Sequence, residues 1–266
     1  MARKSSDFGY TLNDLKRIMS SLRDPVNGCE WDKNQDSNSI KKYCIEEAYE
    51  VVDAIERNDN EALCEELGDL LLQVIFHAQI NSEKENFNLE DIINSISKKM
   101  IRRHPHVFDE RLKTKSIEKI EKNWTKVKNI ERKKKGIKSL LDDIPLSFPA
   151  MIRSLKLQKR ASENGFDWEN LGDVLKKINE EKEELEIAIN NENREEIEEE
   201  LGDLIFSIIN LARKFSIDPE SSLRKTNTKF QKRIKYIEQK LEKENKKFNK
   251  TDLNKLEKLW NEAKNN

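Results

Sequence analysis

At 266 residues the chain fits one large or two ordinary domains. With 50 basic and 51 acidic residues it carries a net charge of −1, which argues against a generic nucleic-acid binder. Charged residues make up 38% and apolar ones 35%, a balance that raises the question of disorder. The charges are mixed along the chain, however, and the apolar residues are periodic, so exposed helices with narrow buried stripes are expected instead. The three cysteines, Cys29, Cys44 and Cys64, form no CxxC. Their odd number fits a reducing cytoplasm better than a disulfide framework. The N-terminus lacks an apolar signal core and no stretch approaches 18 apolar residues, so neither export nor a membrane span is expected.

In chain order, residues 11–23 predict an amphipathic helix with Leu12, Leu15, Ile18, Met19 and Leu22 on one face, broken by Asp24-Pro25-Val26-Asn27-Gly28. A loop, CEWDKNQDSNS, follows. Helices are then expected over 40–58, 60–83 and 88–103, the last stopped by Pro105, with a very polar helix over 116–135. The glycine- and proline-bearing stretch 136–150 suggests a domain boundary near residue 140, giving domains 1–140 and 141–266. The second half repeats the first in order. A helix at MIRSLKLQKRASENG precedes the loop FDWENLG, which carries Trp168. VLKKINEEKEELEIAINN matches 40–58, REEIEEELGDLIFSIINLARK matches 60–83, and SLRKTNTKFQKRIKYIEQKL matches 88–103. DLNKLEKLWNEAK echoes SIEKIEKNWTKVK. With no alternating strand pattern, the expected fold is all-α: two tandem helical bundles related by internal duplication.

The duplicated hairpins carry a carboxylate pattern. Glu46, Glu47 and Glu50 lie within one turn, and Glu66 and Asp69 follow 16 residues after Glu50. Glu180, Glu181 and Glu184 are followed by Glu200 and Asp203 at the same gap. Residues three apart share a helix face, so Glu47/Glu50 and Glu66/Asp69 would converge from adjacent antiparallel helices. Four converging negative charges repel unless a cation sits among them. Oxygen donors without histidine or thiolate suit Mg²⁺, Mn²⁺ or Ca²⁺ rather than zinc. Gly68 and Gly202, inside EELGDL in both halves, each cost a helix roughly 1 kcal/mol, which suggests a backbone that must approach a neighbouring helix or a bound group. Such a cation typically also takes phosphate oxygens. Lys99 and Arg103, and again Lys229 and Arg233, place two cations at i, i+4 on the third helix of each half. Trp124 and Trp260 occupy matching places, for stacking on a base or for packing on the bundle.

CEWDKNQD, IEEAYEVVDAI, EELGDLLLQVIFHAQ, IRRHPHVF, LQKRASENGFDW and LEKLWNEAK together resemble the bacterial two-domain MazG nucleoside triphosphate pyrophosphohydrolases, over essentially the whole chain. The resemblance implies Mg²⁺-dependent cleavage of nucleoside triphosphates to monophosphate and pyrophosphate, in the role of nucleotide-pool housecleaning. It also implies a helical homodimer with sites built between subunits. Carried over, the metal ligands are Glu181, Glu184, Glu200 and Asp203, with counterparts Glu47, Glu50, Glu66 and Asp69. Lys229 and Arg233 would hold phosphates and Trp260 would lie near the nucleotide, with Lys99, Arg103, Trp124 and the loop tryptophans Trp31 and Trp168 completing the substrate-contacting set. The second half is expected to be the main catalytic one. One departure is Cys29-Glu30-Trp31-Asp32, where the family has Cys-Pro-Trp-Asp; losing the proline is expected to loosen that loop. Glu180 and Glu46, each one residue before a ligand, are the carboxylates expected to orient or deprotonate the attacking water. His77, His104 and His106 have no histidine counterpart in the second half, so they are read as structural. A di-iron bundle is disfavoured, since neither half has a Glu-x-x-His pair. A non-enzymatic interaction module with degenerate sites is the other alternative.

Overall fold

The computed structural model describes residues 9–134 and 136–264, all-helical with no strand among them. The chain divides into two compact units, Met1–Glu131 and Arg132–Asn266. The stretch expected to hold the boundary near residue 140 is tied to the second unit: Arg132 donates to the carbonyls of Ser139 and Leu140 and pairs with Asp143, which also pairs with Arg160.

In the first unit, α1 (Leu12–Leu22) starts at a capping box between Thr11 and Asp14. The segment expected to be a loop contains two short helices, α2 (Glu30–Lys33) and α3 (Ser37–Ile40), the second nucleated by Asp36 accepting from Asn38 and Ser39. Next come α4 (Tyr43–Arg57), α5 (Asn60–Glu83) and α6 (Leu89–Arg103). Pro105 does stop α6, and it then opens the single turn α7 (Pro105–Phe108), where its missing N–H costs nothing. A 3₁₀ turn (Glu110–Leu112) leads to α8 (Ile117–Lys134).

The core of this unit joins Met19, Ile40, Ile75, Phe76, Ala78, Ile80 and Leu89. The residues that α5 gives to it all come from the C-terminal half of that helix, and the EELGDL half is left largely exposed. Only Met19 of the five residues on the expected α1 stripe is buried. Leu12, Ile18 and Leu22 stay exposed because α1 lays one narrow edge, not a wide face, on α5.

In the second unit, α9 (Ala150–Ser162), α10 (Leu171–Asn190), α11 (Arg194–Lys214), α12 (Pro219–Lys243) and α13 (Leu253–Ala263) repeat the order. Ile237, Leu241 and Leu259 cluster between α12 and α13, with Trp260 against them. Val174, Ala188 and Ile209 are buried along the α10–α11 hairpin.

Both hairpins turn on one left-handed residue, Asn58 (φ 56°) in the first and Glu192 (φ 53°) in the second. Asp59 and Asn193 then cap the following helix. This matched turn sets the register of the paired helices.

Candidate metal centres

The α4–α5 hairpin faces its carboxylates inward across the seam. Oxygens of Glu47, Glu66 and Asp69 lie within 4.8 Å of one another. Glu50 lies close enough to Glu66 for its charge to push that carboxyl up. Partial loss of solvent pushes the Glu47 carboxyl up, and the charges of Asp69 and Glu50 push it further. Glu66 is raised for the same reasons, with Glu50 its main charged neighbour. Gln73, one turn beyond Asp69 and buried, donates from Nε2 to Glu47 at 3.4 Å, and its Oε1 has no partner.

On the α10–α11 hairpin the trio within 4.8 Å is Glu181, Glu184 and Glu200, with Glu181 buried. Asp203 lies outside the trio and still acts on Glu200, which desolvation, Glu184 and Glu181 raise first. Glu184 is raised by desolvation and by Glu181, and lowered by Lys177. Each hairpin therefore brings three of the four expected ligands together and holds the fourth at the margin. The marginal one differs: Glu50 in the first, Asp203 in the second.

Oxygen donors alone, crowded enough that desolvation and neighbouring charge raise Glu47, Glu66, Glu184 and Glu200, fit a hard divalent cation. The unsatisfied Gln73 Oε1 beside Glu47 adds a free acceptor that suits bound water. Glu46 and Glu180 lie outside both trios. Glu180 pairs with Lys177 at 2.7 Å.

Lys177 and Gln73 are missing from the sequence reading. Lys177 reaches Glu181 at 2.8 Å as an i, i+4 partner, and Gln73 lies four residues after Asp69. Both spacings are visible in the sequence. They are not repeated between the halves, where Tyr43 and Ser207 stand instead, so a search for duplicated positions passes over them.

Of the two approaches expected at Gly68 and Gly202, a neighbouring helix or a bound group, the helix is not there among the described residues. A Cβ added at either position meets nothing within 4 Å. Neither glycine marks a helix crossing within the described residues; both lie on open helix surface beside exposed Leu67, Leu71, Leu201 and Ile205.

The basic pairs lie with their tryptophans. On α6, Arg103 stacks over Trp124 at 5.3 Å and is held by Glu131 at 2.5 Å, with Arg102 on the same carboxylate. These two arginines depress the Glu131 carboxyl to about 2. Lys99 is half-buried on the same helix. On α12, Arg233 stacks over Trp260 at 5.0 Å, Phe230 tilts against the same ring, and no carboxylate holds Arg233 among the described residues. Lys229, Lys232, Arg233, Tyr236 and Gln239 line an open cleft of about 400 Å³. The His104 ring nitrogen bonds the Met100 carbonyl at 2.7 Å, and the His104 and Trp124 rings meet edge to face.

Each loop tryptophan sits in a segment clamped by one arginine. Trp31 rests against Tyr43 and Phe76, both at 6.4 Å between ring centroids. Buried Arg23 pairs with Glu83 at 2.7 Å and donates to the carbonyls of Asp32 and Gln35. The CEWD segment is thus a pinned helical turn rather than the loosened loop expected from its missing proline. Gly28 is required at its entrance, because a Cβ there would come within 2.5 Å of the Asp24 and Leu22 carbonyls. In the second unit the polarity is reversed. Asp167 in the loop pairs with Arg213 at 2.5 Å, and Lys214 donates to the Trp168 carbonyl at 2.6 Å.

Two domain descriptions match the chain: the MazG nucleotide pyrophosphohydrolase domain over residues 35–108, and phosphoribosyl-ATP pyrophosphohydrolase over residues 148–230. A nucleoside triphosphate pyrophosphohydrolase of Escherichia coli K12 is 42% identical over 95% of this chain and 97% of its own length. The corresponding pyrophosphohydrolase/pyrophosphatase of Thermotoga maritima is 43% identical over 96% of both chains. YabN, an uncharacterized protein of Bacillus subtilis, is 41% identical over 96% of this chain and 52% of its own. With two inward-facing carboxylate hairpins and full-length similarity of this degree, the chain belongs to the MazG family of nucleotide pyrophosphohydrolases.

Proposed function

We propose that this chain hydrolyses nucleoside triphosphates to the monophosphate and pyrophosphate with Mg²⁺, for which Mn²⁺ can substitute, as a cytoplasmic housecleaning enzyme. The observation that carries this reading is the recurrence of an inward-facing carboxylate trio on two equivalent hairpins. The candidate ligands are Glu181, Glu184, Glu200 and Asp203, and Glu47, Glu50, Glu66 and Asp69. A divalent cation bound there would neutralise phosphate charge and acidify water. Glu180 keeps one oxygen beyond its contact with Lys177, from which it can accept a proton of the attacking water, and Glu46 has the matching place in the first half. Lys229 and Arg233 supply fixed positive charge to phosphate oxygens, and Trp260 offers a ring face. In the first half Arg103 is committed to Glu131, so Lys99 is the freer cation there. This asymmetry supports the second half as the main catalytic one.

A homodimer is part of the reading. Exposed Leu67, Leu71, Ile93, Ile96, Leu201, Ile205 and Ile208 leave more apolar helix surface uncovered than a monomer usually tolerates. Among the described residues no helix is long and apolar enough to cross a membrane.

Product analysis tests the reaction. Each nucleoside triphosphate is incubated with the protein, with and without Mg²⁺, and the phosphates are separated. Monophosphate plus pyrophosphate, abolished in the Glu66→Ala/Glu200→Ala double variant, is expected. Diphosphate plus orthophosphate would mean a different bond and a different mechanism.

A further inference from the structure

The two hairpins differ most in their nearest cation. Lys177 lies 2.8 Å from Glu181 and 2.7 Å from Glu180, so its ammonium sits at the edge of the second trio and engages one of the candidate ligands directly. At the equivalent place the first half has Tyr43, whose ring packs into the core and against Trp31. The adjacent Lys42 lies over that ring at 4.8 Å. Among the described residues none of Glu47, Glu50, Glu66 and Asp69 is in an ion pair, and the charges acting on Glu47 are all carboxylates. Its polar neighbour is the neutral Gln73.

We infer that Lys177 is an internal counter-cation that makes the second centre the weaker of the two for divalent metal in the absence of substrate. A cation entering the second hairpin must share or displace the Lys177 contact to Glu181 and meets one more positive charge than in the first. At about 5 Å and water-like dielectric, a unit charge acting on a divalent ion changes its affinity by about tenfold. The first centre, lined by carboxylates and an amide, holds its cation without nucleotide, whereas the second fills when an anion arrives to offset Lys177. This inference rests on the proposed metal-binding role of both hairpins.

The test is calorimetric titration of Mg²⁺ into the metal-stripped full-length protein without nucleotide. Glu200→Ala leaves the first centre to be read alone, and Glu66→Ala leaves the second. The first is expected to bind at least about tenfold more tightly. Adding Lys177→Met to Glu66→Ala should tighten binding by about tenfold, as should Lys177→Tyr, which copies the first half. Lys182→Met, which removes a lysine paired outward with Glu186, should change nothing. Far-UV circular dichroism checks that each variant is folded. Unchanged or weaker binding in folded Lys177 variants overturns the inference while leaving the metal reading intact. No Mg²⁺ heat in any protein, including wild type, overturns the metal reading itself.

Discussion

The two hairpins present the same carboxylates at the same spacing and differ in everything that touches them. In the first, an amide bonds Glu47, the marginal ligand is Glu50, and the nearby arginine is neutralised by Glu131. In the second, a lysine bonds Glu181, the marginal ligand is Asp203, and Arg233 has no carboxylate partner among the described residues. Ligand geometry is therefore a property of the helical register, common to both copies. The neighbours of the two carboxylate sets have diverged. On the proposed reading this divides the tasks, with one hairpin keeping a cation and the other meeting a polyanion.

Single ligand substitutions probe that division most strongly. Glu200→Ala should lower pyrophosphate release by roughly 1,000-fold, the scale of losing metal-assisted charge stabilisation, while Glu66→Ala should leave most turnover. Equal losses in steady-state assays would mean the halves work as one site. Next in size are the loop clamps. Arg23→Ala strips Glu83 of its cation and should cost about 2–3 kcal/mol in urea denaturation, whereas Arg213→Ala leaves Asp167 paired with Lys214 and should cost less. Arg213→Ala should in addition change the fluorescence of Trp168. A cost confined to one clamp would show that only one tryptophan loop is held by its arginine.

The pH dependence separates the halves further. Glu131 has its pKa lowered in the folded protein from 4.5 to about 2 by Arg103 and Arg102. Its contribution to stability is complete above 4.5 and is lost as pH falls toward about 2. Wild type should therefore exceed Glu131→Gln in urea midpoint at neutral pH, and the difference should vanish across that window. The smallest effect is expected at the hairpin turns. Glu192 is a poor residue for a left-handed φ, so Glu192→Gly should stabilise by up to about 1 kcal/mol, whereas Asn58→Gly gains less because asparagine tolerates that conformation. Thermal melts of the two variants compare them directly.

Much of this architecture is legible in the sequence. The apolar period of 40–58 and 60–83 gives the hairpin, and repetition singles out ten carboxylates, eight of them the candidate ligands. What stays hidden depends on contacts between elements. Whether Leu12, Ile18 and Leu22 are covered depends on how α1 sits against α5, which periodicity does not encode. The open surroundings of Gly68 and Gly202 are equally invisible, since a helical glycine looks the same beside a neighbour or beside solvent. Two short helices in 29–40 escape because each is a single turn, too short to show a repeating pattern, and α3 is started by its Asp36 cap. Lys177 escapes for the opposite reason: it stands among fifty basic residues, and only its two carboxylate contacts distinguish it.

The one-residue left-handed turns at Asn58 and Glu192 also bear on how the protein folds. Each candidate cage lies within a single helical hairpin, from Glu47 to Asp69 and from Glu181 to Asp203, so its ligands meet as soon as that short loop closes. Local contacts of this kind form early and fast. Like charges then gather in the first hairpin with no ion pair among the described residues, whereas Lys177 accompanies them in the second, so repulsion is expected in the folding transition state and more strongly in the first. Divalent cations should consequently accelerate refolding with little effect on the unfolding rate, which would make the hairpins nucleation sites whose speed responds to the proposed ion.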